Sequence, residues 1–462
     1  MNDDLSLPMG VRAATGQLLH EFVPAASLDS IIAEPTKIPS RVAVLGSVVT
    51  DPNDLSEAGW CLLFPGKKTA TEVAAIKTAL APLIDLRKSQ VNQATLFTTF
   101  EGDLGYQPND TAKTWLARGP RRLDLRTVDP TAGVPYYVLL IGSPEEISFE
   151  FQYQLDCYWA VGRLYFDSIE GYKSYAEHAV KSETVPAPKT ATFVATRHAS
   201  DSATQGLHDF LALPLLNGDA KHPPVGAKQK FELDRLLAAD ATKPNLLHLL
   251  ASKRPSLLFT GSHGLSFDIT EPNQALKQGA ILATGNAPLP AVATPITPDE
   301  YLCEKDLGDV DLQGMIHMFF ACYNAGCPAN DTYDRKDNGD PLPLMPKPIV
   351  SKLVQGLLSR GALAVIGHVD RAWTSSFFGS GRPQIQEFRQ TLELLMSGTR
   401  VGQAMDQFNQ RWSVLSDDLA EMLNNRQQPD LVPDQQLYEC WKVRNDARNY
   451  LVLGDPAARL CV

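Results

Sequence analysis

The chain has 462 residues, and 42 Lys and Arg against 53 Asp and Glu give it a net charge of −11. Hydrophobic residues make up 44% and charged residues 21%, which excludes whole-chain disorder because enough apolar surface exists to offset chain entropy. The acidic balance argues against a nucleic-acid partner, which would need clustered Lys and Arg. No run of about 18 apolar residues occurs, so no membrane partner is expected.

The N-terminal sequence MNDDLSLPMG has no basic stretch followed by an apolar one, so no secretory signal is expected and the predicted location is cytoplasmic. Seven cysteines without a CxxC pair predict free thiols. Neither GxGxxG nor GxxxxGK[ST] occurs, and no His, Cys and carboxylate cluster has zinc spacing. We therefore expect no cofactor and no metal.

The first half of the chain alternates apolar runs, which predict strands, with segments of helical apolar spacing. This alternation predicts an α/β fold with a mostly parallel sheet covered by helices on both faces. The predicted elements are strands at Arg41–Val49, Trp60–Gly66, Pro135–Gly142 and Tyr158–Phe166, and helices starting at a Thr69 or Thr71 cap, at Pro144–Asp156 and near Ile169–Val180.

A polar, proline-bearing segment, Lys181–Lys189, is predicted to be a linker, since few buried contacts can cross such a stretch. The chain then divides into an N-terminal extension (residues 1–40), a first α/β subdomain (41–185) and a second α/β domain (186–462). In the second, strands are predicted at Ala191–His198, Pro255–Gly264, Gly279–Gly285, Met315–Cys322, Gly361–Trp373 and the closing NYLVLGD, and helices at about Pro383–Ser397 and Val401–Asn424.

Two further segments of the second half are poor in periodic apolar residues. Asn286–Glu300 is rich in Pro and Ala, and Ala329–Lys347 is polar, charged and proline-bearing. Such segments cannot pack as regular elements, so both are predicted to be surface loops.

Two predicted strands of the second half end in residues with nucleophilic and acid–base chemistry. His263 and Gly264 follow LLFTGS, and Cys322 follows IHMFFA, 59 residues later (322 − 263). Side chains just past the carboxyl ends of parallel strands line one crevice. There an imidazole can generate the thiolate nucleophile and then protonate a leaving amine. The N–H groups of Gly264 and Cys322 would form an oxyanion hole.

This pattern resembles the caspase-like cysteine peptidases (clan CD), in which a strand ending in SHG precedes a strand ending in AC. FTGSHG, FFACYNAG, GALAVIGHVDRAW and LGDPAARL are similar to gingipain-like and CHAT-domain bacterial proteases. YYVLLIG with AVGRLYF is similar to the non-catalytic α/β subdomain of gingipain-type enzymes. The resemblance implies catalytic His263, nucleophilic Cys322, a catalytic domain at 186–462 and hydrolysis of a protein substrate through a thioester. FFACYNAG replaces the caspase QACRG, so cleavage after Asp is not implied.

In this family the loop after the strand that ends near His368 helps to line the pocket for the substrate residue before the cut bond. Asp370 in that loop would pair with a substrate Arg or Lys, which predicts cleavage after a basic residue. The alternative is an Asp370–Arg371 ion pair with neighbouring residues that shapes the loop. His368, Arg371 and Trp373 are further candidates for this pocket, with packing in the core as the alternative for Trp373.

The remaining candidate residues are expected to have structural or bystander roles. Cys303 and Cys327 match no family position and are expected to be bystander thiols. His317 alternates within a buried strand, which is typical of a core histidine. Asp455 in LGDP is expected to fix the terminal turn.

Members of this family are often inactive until a loop is cut or a partner binds. Arg335 and Lys336 in the predicted loop Ala329–Lys347 are therefore candidate sites of self-cleavage. The same resemblance makes an activating protein or an upstream protease a candidate partner, with calcium as a candidate activator. Two alternatives stay open: a catalytically silent caspase-like scaffold or binding module, and another thiol acyl transfer such as transpeptidation.

Overall fold

The computed structural model describes residues 6–19, 46–47, 49–118, 127–336, 338–379, 381–425 and 432–462. Its strands are β1 (Gly10–Arg12), β2 (Gly46–Ser47), β3 (Trp60–Leu63), β4 (Phe97–Phe100), β5 (Thr127–Val128), β6 (Tyr137–Ile141), β7 (Ala160–Leu164), β8 (Thr190–Ala195), β9 (Glu232–Leu237), β10 (Leu257–Gly261), β11 (Gly264–Ser266), β12 (Ile281–Leu282), β13 (Tyr301–Leu302), β14 (Ile316–Phe320), β15 (Gly326–Cys327), β16 (Asn330–Arg335), β17 (Pro341–Pro343), β18 (Ile349–Val350), β19 (Ala364–His368), β20 (Phe378–Gly379), β21 (Arg382–Pro383) and β22 (Tyr450–Gly454).

The α-helices are α1 (Leu55–Ala58), α2 (Ala70–Ala79), α3 (Ala81–Val91), α4 (Ala112–Leu116), α5 (Phe149–Asp156), α6 (Ile169–Thr184), α7 (Ser202–Gly206), α8 (Leu213–Asn217), α9 (Lys243–His248), α10 (Gln274–Lys277), α11 (Lys352–Ser359), α12 (Gln386–Met396), α13 (Val401–Ala404), α14 (Asp406–Asn425) and α15 (Asp434–Arg448). Residues Leu207–Ala212 and Leu249–Lys253 are π-helical turns that continue α7 and α9.

Ten of the described strands form one sheet in the order β4-β3-β6-β7-β22-β19-β14-β10-β8-β9. Neighbouring strands are parallel throughout, except that β19 and β22 are antiparallel. The five strands from β4 to β22 in this order therefore run opposite to the five from β19 to β9. As a result, β8, β10, β14 and β19 present their carboxyl ends at one edge, away from the carboxyl ends of β3, β6 and β7.

The strands at the centre of the sheet are buried along their whole length, including β6, β7, β10, β14, β19 and β22. Their sequences are continuous apolar runs, which suit a parallel sheet with helices on both faces. The predicted α/β fold with a mostly parallel sheet between helices is confirmed.

Most predicted elements are present with small shifts of their ends. The helix cap is Thr69, whose hydroxyl accepts a hydrogen bond from the Glu72 N–H, while the Glu72 carboxylate accepts one from the Thr69 N–H. The predicted strand Arg41–Val49 lies mostly outside the described residues, as do residues 20–40 of the predicted extension.

The linker prediction for Lys181–Lys189 is wrong at its first four residues, which complete α6. Glu183 makes an ion pair with the buried Arg87 at 2.5 Å, and Ser182 is buried. The helix continues through this polar stretch because those side chains have partners in other parts of the fold. The division of the chain near residue 185 stays a prediction, although β7 and β22 pair directly across it.

The loop prediction for Ala329–Lys347 is also wrong in part, because β16 and β17 form an antiparallel hairpin there. Polar residues fix this hairpin: Asp331 is buried and binds Arg371 at 2.5 Å. The spacing of apolar residues along the sequence gives no information about a buried ion pair of this kind. By contrast, residues 286–297 contain no strand or helix.

Asp455 follows the last strand and joins the terminal turn to the first half of the chain. Its carboxylate accepts hydrogen bonds from the Ala457 N–H (3.0 Å), the Trp60 indole N–H (2.9 Å) and the Arg87 guanidinium (2.8 Å). It is fully buried. Asp455 thus fixes the terminal turn and also anchors β3 and α3.

Among the helices of the described residues, none combines the length and the apolar character needed to cross a bilayer.

Candidate active site

The register of two neighbouring strands brings the predicted histidine and cysteine together. In the parallel pair β10 and β14, Gly261 lies opposite Phe320. His263 and Cys322 each follow two residues after these partners, so they leave the sheet side by side at the same edge. The backbones touch here, because a Cβ added to Gly264 would lie 1.8 Å from the carbonyl oxygen of Cys322. Only glycine fits at position 264.

His263 is held by a carboxylate that the sequence analysis did not identify. Its Nε2 lies 2.7 Å from Oδ2 of Asp201, and both side chains are fully buried. Asp201 also accepts hydrogen bonds from the Ala203 and Thr204 N–H groups at the start of α7. Burial alone would raise the pKa of Asp201, but the charge and hydrogen bond of His263 and the Thr204 hydroxyl hold it below its ordinary value. Asp201 is therefore an anion that orients the imidazole.

The other imidazole nitrogen is available for proton transfer. Nδ1 of His263 is buried and has no hydrogen-bond partner among the described residues. When the ring carries one proton, on Nε2 and directed at the carboxylate of Asp201, Nδ1 has a lone pair that can accept a second proton. The ring of His198 stacks on that of His263 with centroids 5.9 Å apart. Burial, and then the charge of His263, lower the pKa of His198 to about 4, so this second ring is neutral.

Cys322 is enclosed by backbone groups of the segment that follows β19. Its Sγ accepts a hydrogen bond from the Ala372 N–H at 3.3 Å and lies 3.7 Å from the Ala372 carbonyl oxygen. Burial raises the pKa of the thiol, while the Ala372 N–H acts in the opposite direction. In this enclosed state the thiol keeps its proton, and a water-exposed thiol at the same place would ionise more easily.

The backbone turns sharply right after Cys322. Tyr323 has φ 57°, a left-handed conformation that is unusual for a bulky residue. The Tyr323 N–H donates to the Asp370 carbonyl at 2.9 Å, which holds the turn against the segment after β19. Strained backbone of this kind is concentrated at functional sites, where surrounding contacts hold it in place.

Two backbone N–H groups converge on one carbonyl oxygen at this edge. The N–H of Gly264 and the N–H of Cys322 both donate to the carbonyl of Met9, at 2.9 and 3.0 Å. These are the two donors that the sequence analysis assigned to an oxyanion hole. Paired N–H groups with this spacing stabilise the negative oxygen of a tetrahedral intermediate.

The four predicted pocket residues have different surroundings. His368 packs between Phe320 and Tyr450. The carboxylate of Asp370 accepts hydrogen bonds from the hydroxyl of Thr332 and from the N–H of Arg371. Burial, and then repulsion by Asp331, raise the pKa of Asp370 to about 6.

The guanidinium of Arg371 pairs with carboxylates of β16. It lies 2.5 Å from Asp331 and 3.8 Å from Asp334, and it is almost fully buried. An ion pair of Arg371 that shapes the loop, the predicted alternative, is therefore present, but its partners are Asp331 and Asp334. Trp373 is buried and its ring contacts Tyr333 edge-on, with centroids 5.0 Å apart.

The two candidate self-cleavage residues differ in accessibility. Arg335 is buried at the end of β16 and donates to the Asp331 carbonyl at 3.0 Å. Lys336 is exposed at the hairpin turn, where its N–H donates to the Asp340 carbonyl.

The side chains expected to be bystanders have local partners. His317 bonds to the Thr260 hydroxyl at 2.9 Å, and burial lowers its pKa to about 3. Cys327 contacts Gln278, and Cys303 contacts Asp306.

Sequence reasoning missed Asp201, Ala372 and the segment around Met9. A signal for Asp201 existed: it is a polar residue shortly after β8, and β8 neighbours β10 in the sheet. The order of strands was needed to use that signal. For Ala372 and Met9 the sequence carries no signal, because their backbone groups form the contacts.

Comparisons with known proteins show a similarity of fold. No protein-family model matches the chain, and no curated protein matches it. A solved structure described as a protease has 12% identity and a TM-score of 0.50, covering 87% of this chain and 78% of its own. The complex of the pro- and mature domains of RgpB from Porphyromonas gingivalis has 12% identity and a TM-score of 0.46, with 87% and 79% covered. The separase–securin complex of Saccharomyces cerevisiae has 9% identity and a TM-score of 0.31, and covers 69% of this chain but 16% of that one.

The similarity to the protease with a TM-score of 0.50 extends over most of both chains. This chain has a mostly parallel central sheet flanked by helices. At 12% identity the likeness shows the fold alone.

Proposed function

We propose that the protein is a cysteine endopeptidase that uses Cys322 as nucleophile and His263 as general acid and base. The observation that carries this proposal is the pair of N–H groups, from Gly264 and Cys322, that meet at one peptide carbonyl oxygen beside the thiol. A carbonyl held in this way is polarised for attack, and the negative charge of the tetrahedral intermediate has its donors already in place.

The steps follow from the groups present. The imidazole of His263 accepts the thiol proton of Cys322, and the thiolate adds to the carbonyl carbon of the substrate. The carbon–nitrogen bond then breaks as the imidazolium protonates the leaving amine, which leaves a thioester on Sγ. Water, deprotonated by the same imidazole, hydrolyses the thioester and restores the thiol. Asp201 is a positioning residue that holds the ring and stabilises its charged form.

The expected preference for a basic residue before the cut bond receives no support from Asp370. Its carboxylate already binds Thr332 and the Arg371 N–H, and the pKa near 6 means that its charge is costly at this buried place. A substrate guanidinium would have to displace these partners.

Of the two candidate self-cleavage residues, Arg335 and Lys336, we assign activating cleavage to Lys336. Lys336 is exposed at the hairpin turn, whereas Arg335 is buried within the hairpin. An upstream protease could reach the same exposed residue, Lys336. Binding of a partner protein is the other activation route in this proposal.

The test compares the parent with Cys322→Ala and His263→Ala on fluorogenic peptides that end in Arg, Lys, Asp or Met. Cys327→Ala is the matched control, because it removes a second buried thiol from the same region. We expect turnover in the parent and the control and none in the other two variants. Turnover that survives Cys322→Ala would reject the proposal. Transfer of the acyl group to an added amine in preference to water would identify a transpeptidase instead.

A further inference from the structure

Residues 7–9 of the chain pair with the segment after β19 at the candidate active site. The Met9 N–H donates to the Ala372 carbonyl at 2.8 Å, and the Thr374 N–H donates to the Leu7 carbonyl at 3.0 Å. The Leu7 N–H donates to the Thr374 hydroxyl at 2.9 Å, and Pro8 lies opposite Trp373 in an antiparallel bridge. Adding an extended peptide to an exposed backbone edge is a common mode of peptide recognition.

The carbonyl of Met9 occupies the position that a substrate carbonyl takes in the proposed reaction. It receives both N–H groups of the predicted oxyanion hole, from Gly264 and from Cys322. The side chain of Met9 is fully buried. A closed site that holds a long, unbranched apolar side chain therefore lies directly before this carbonyl.

The next residue places the following peptide bond against the thiol. A Cβ added to Gly10 would lie 2.9 Å from Sγ of Cys322 and 2.4 Å from Leu19. The backbone at Gly10 thus packs on the sulfur, while the carbonyl oxygen of Met9, on the other side of the same peptide bond, receives the two N–H donors.

The chain after this bond is fixed independently of the chain before it. β1 pairs with β11 in parallel, with Gly10 opposite Gly264. Residues 10–19 form a hairpin, in which the Leu19 N–H donates to the Gly10 carbonyl. The hairpin is also held from outside, because the Ile296 N–H donates to the Ala13 carbonyl. Cutting before Gly10 would leave this hairpin in place and free residues 1–9 to leave.

We propose that the chain carries its own first substrate: Cys322 cuts the Met9–Gly10 bond, and the departure of residues 1–9 opens the cleft to other substrates. This inference rests on the proposed peptidase function. The thiolate adds to the Met9 carbonyl carbon, the bond to the Gly10 nitrogen breaks, and His263 delivers the former thiol proton to that nitrogen. Water then converts the Met9 thioester to a carboxylate and returns the thiol.

The same contacts assign the residue preference of the site. A substrate with methionine, or another long apolar side chain, before the cut bond fits the place that Met9 occupies, and a basic residue does not. Until the cut is made the tethered segment competes with added peptide at an effective concentration in the millimolar range. Turnover of a micromolar peptide should therefore start about tenfold or more below its final rate.

The experiment follows the purified full chain over time by intact mass spectrometry, N-terminal sequencing and peptide turnover. The probe is acetyl-Ser-Leu-Pro-Met-aminomethylcoumarin, which copies residues 6–9, and its Arg counterpart is the comparison. We expect a new N-terminus at Gly10, a rise in turnover with the same time course, and preference for the Met probe. Cys322→Ala should keep residues 1–9, and Cys327→Ala should behave as the parent.

Two variants of Met9 test the site before the bond. Met9→Leu should be cut at a rate near that of the parent. Met9→Asp should be cut at about one hundredth of the parent's rate or at a lower rate still, because an unpaired charge would be buried in the site.

One further variant opens the cleft without a cut. Gly10→Val places a side chain against Sγ of Cys322 and should expel the segment, so the Met probe is hydrolysed without a lag while the N-terminus stays intact. Ala14→Val, at an exposed position of the same hairpin, is the control and should keep the lag.

Each outcome separates the inference from the function on which it rests. Cys322-dependent turnover at full rate with residues 1–9 still attached, or their loss in Cys322→Ala, overturns the inference and leaves the peptidase standing. Absence of Cys322-dependent turnover of every peptide, in the parent and in Gly10→Val alike, overturns the peptidase as well.

Discussion

Replacing Gly264 by alanine should damage the oxyanion donors while sparing the nucleophile. The added Cβ would lie 1.8 Å from the carbonyl oxygen of Cys322, and real Cβ contacts are essentially never shorter than 3.0 Å, so the backbones must separate by about 1.2 Å. The Gly264 N–H now lies 2.9 Å from the oxygen it serves. A displacement of this size takes it beyond hydrogen-bond distance.

The loss of one oxyanion donor costs about 2.7–4 kcal/mol of transition-state stabilisation, which is about 100- to 1,000-fold in kcat. The added Cβ would also lie 2.9 Å from the Cys322 nitrogen, so the second N–H donor is displaced as well. We therefore expect a fall in kcat near 1,000-fold, the upper end of this range, for Gly264→Ala. Because these hydrogen bonds strengthen as the oxygen becomes negative, kcat and kcat/KM should fall together and KM should stay nearly constant.

The assay is steady-state hydrolysis of a fluorogenic peptide by enzyme that has reached its final rate, with active sites counted by a covalent thiol reagent. Gly379→Ala is the matched control, since its Cβ would meet only the flexible Gln384 side chain at 3.0 Å. A Gly264→Ala enzyme with a full count of reactive thiols and a kcat within threefold of the parent would refute the assignment of these two N–H groups.

Four other changes have expected outcomes. Asp201→Asn removes a buried, charge-assisted hydrogen bond worth about 1.5–3 kcal/mol, so kcat should fall about 10- to 100-fold with little change in KM. Asp455→Asn leaves the buried Arg87 guanidinium without one of its two carboxylates and should lower the free energy of unfolding by about 3 kcal/mol, measured by urea titration. Burial raises the pKa of Asp406 to about 7, so the folded state binds its proton more tightly than the unfolded chain, and the contribution of Asp406 to the free energy of unfolding should fall by about 1 kcal/mol per pH unit from about pH 4 to 7. Within the β16–β17 hairpin, trypsin should cut after the exposed Lys336 and not after the buried Arg335, as read by mass spectrometry.

Controls keep these results specific. Glu101→Gln, which removes an exposed ion pair with Lys77, should change the unfolding free energy by less than about 1 kcal/mol. Asp406→Asn should flatten the pH dependence, and an unchanged slope would assign it to other groups. Equal cleavage after Arg335 and Lys336 would mean that the hairpin opens. Fully active enzyme with an intact hairpin would remove cleavage there as an activation step.

The neighbouring positions of His263 and Cys322 followed from the sequence because both signals are local. Each residue ends a buried apolar run, and parallel strands deliver their ends to one edge. Gly264 carried a similar local meaning, since a glycine directly after a histidine at a strand end allows close backbone approach. The α/β fold was predictable for the same reason, as the periods of strands and helices are written in short stretches of chain.

Other parts of the site depended on contacts between distant segments. Arg371 was expected beside Asp370, yet it binds Asp331 from the hairpin, 40 residues earlier. Asp201 reaches His263 across 62 residues through the order of strands in the sheet. Apolar periodicity contains no information about such pairs of polar residues.

The sequence by itself determined the fold class, the strand ends that carry thiol and imidazole, and the glycine beside them, because each depends on the chemistry of a few consecutive residues. Only the tertiary structure decided that Asp201 orients the imidazole and that Met9 fills the site, because these depend on which backbone and side-chain groups meet when one ten-stranded sheet assembles. Backbone N–H and carbonyl groups are the same in every residue, so their partners are fixed by geometry rather than by the letters of the chain.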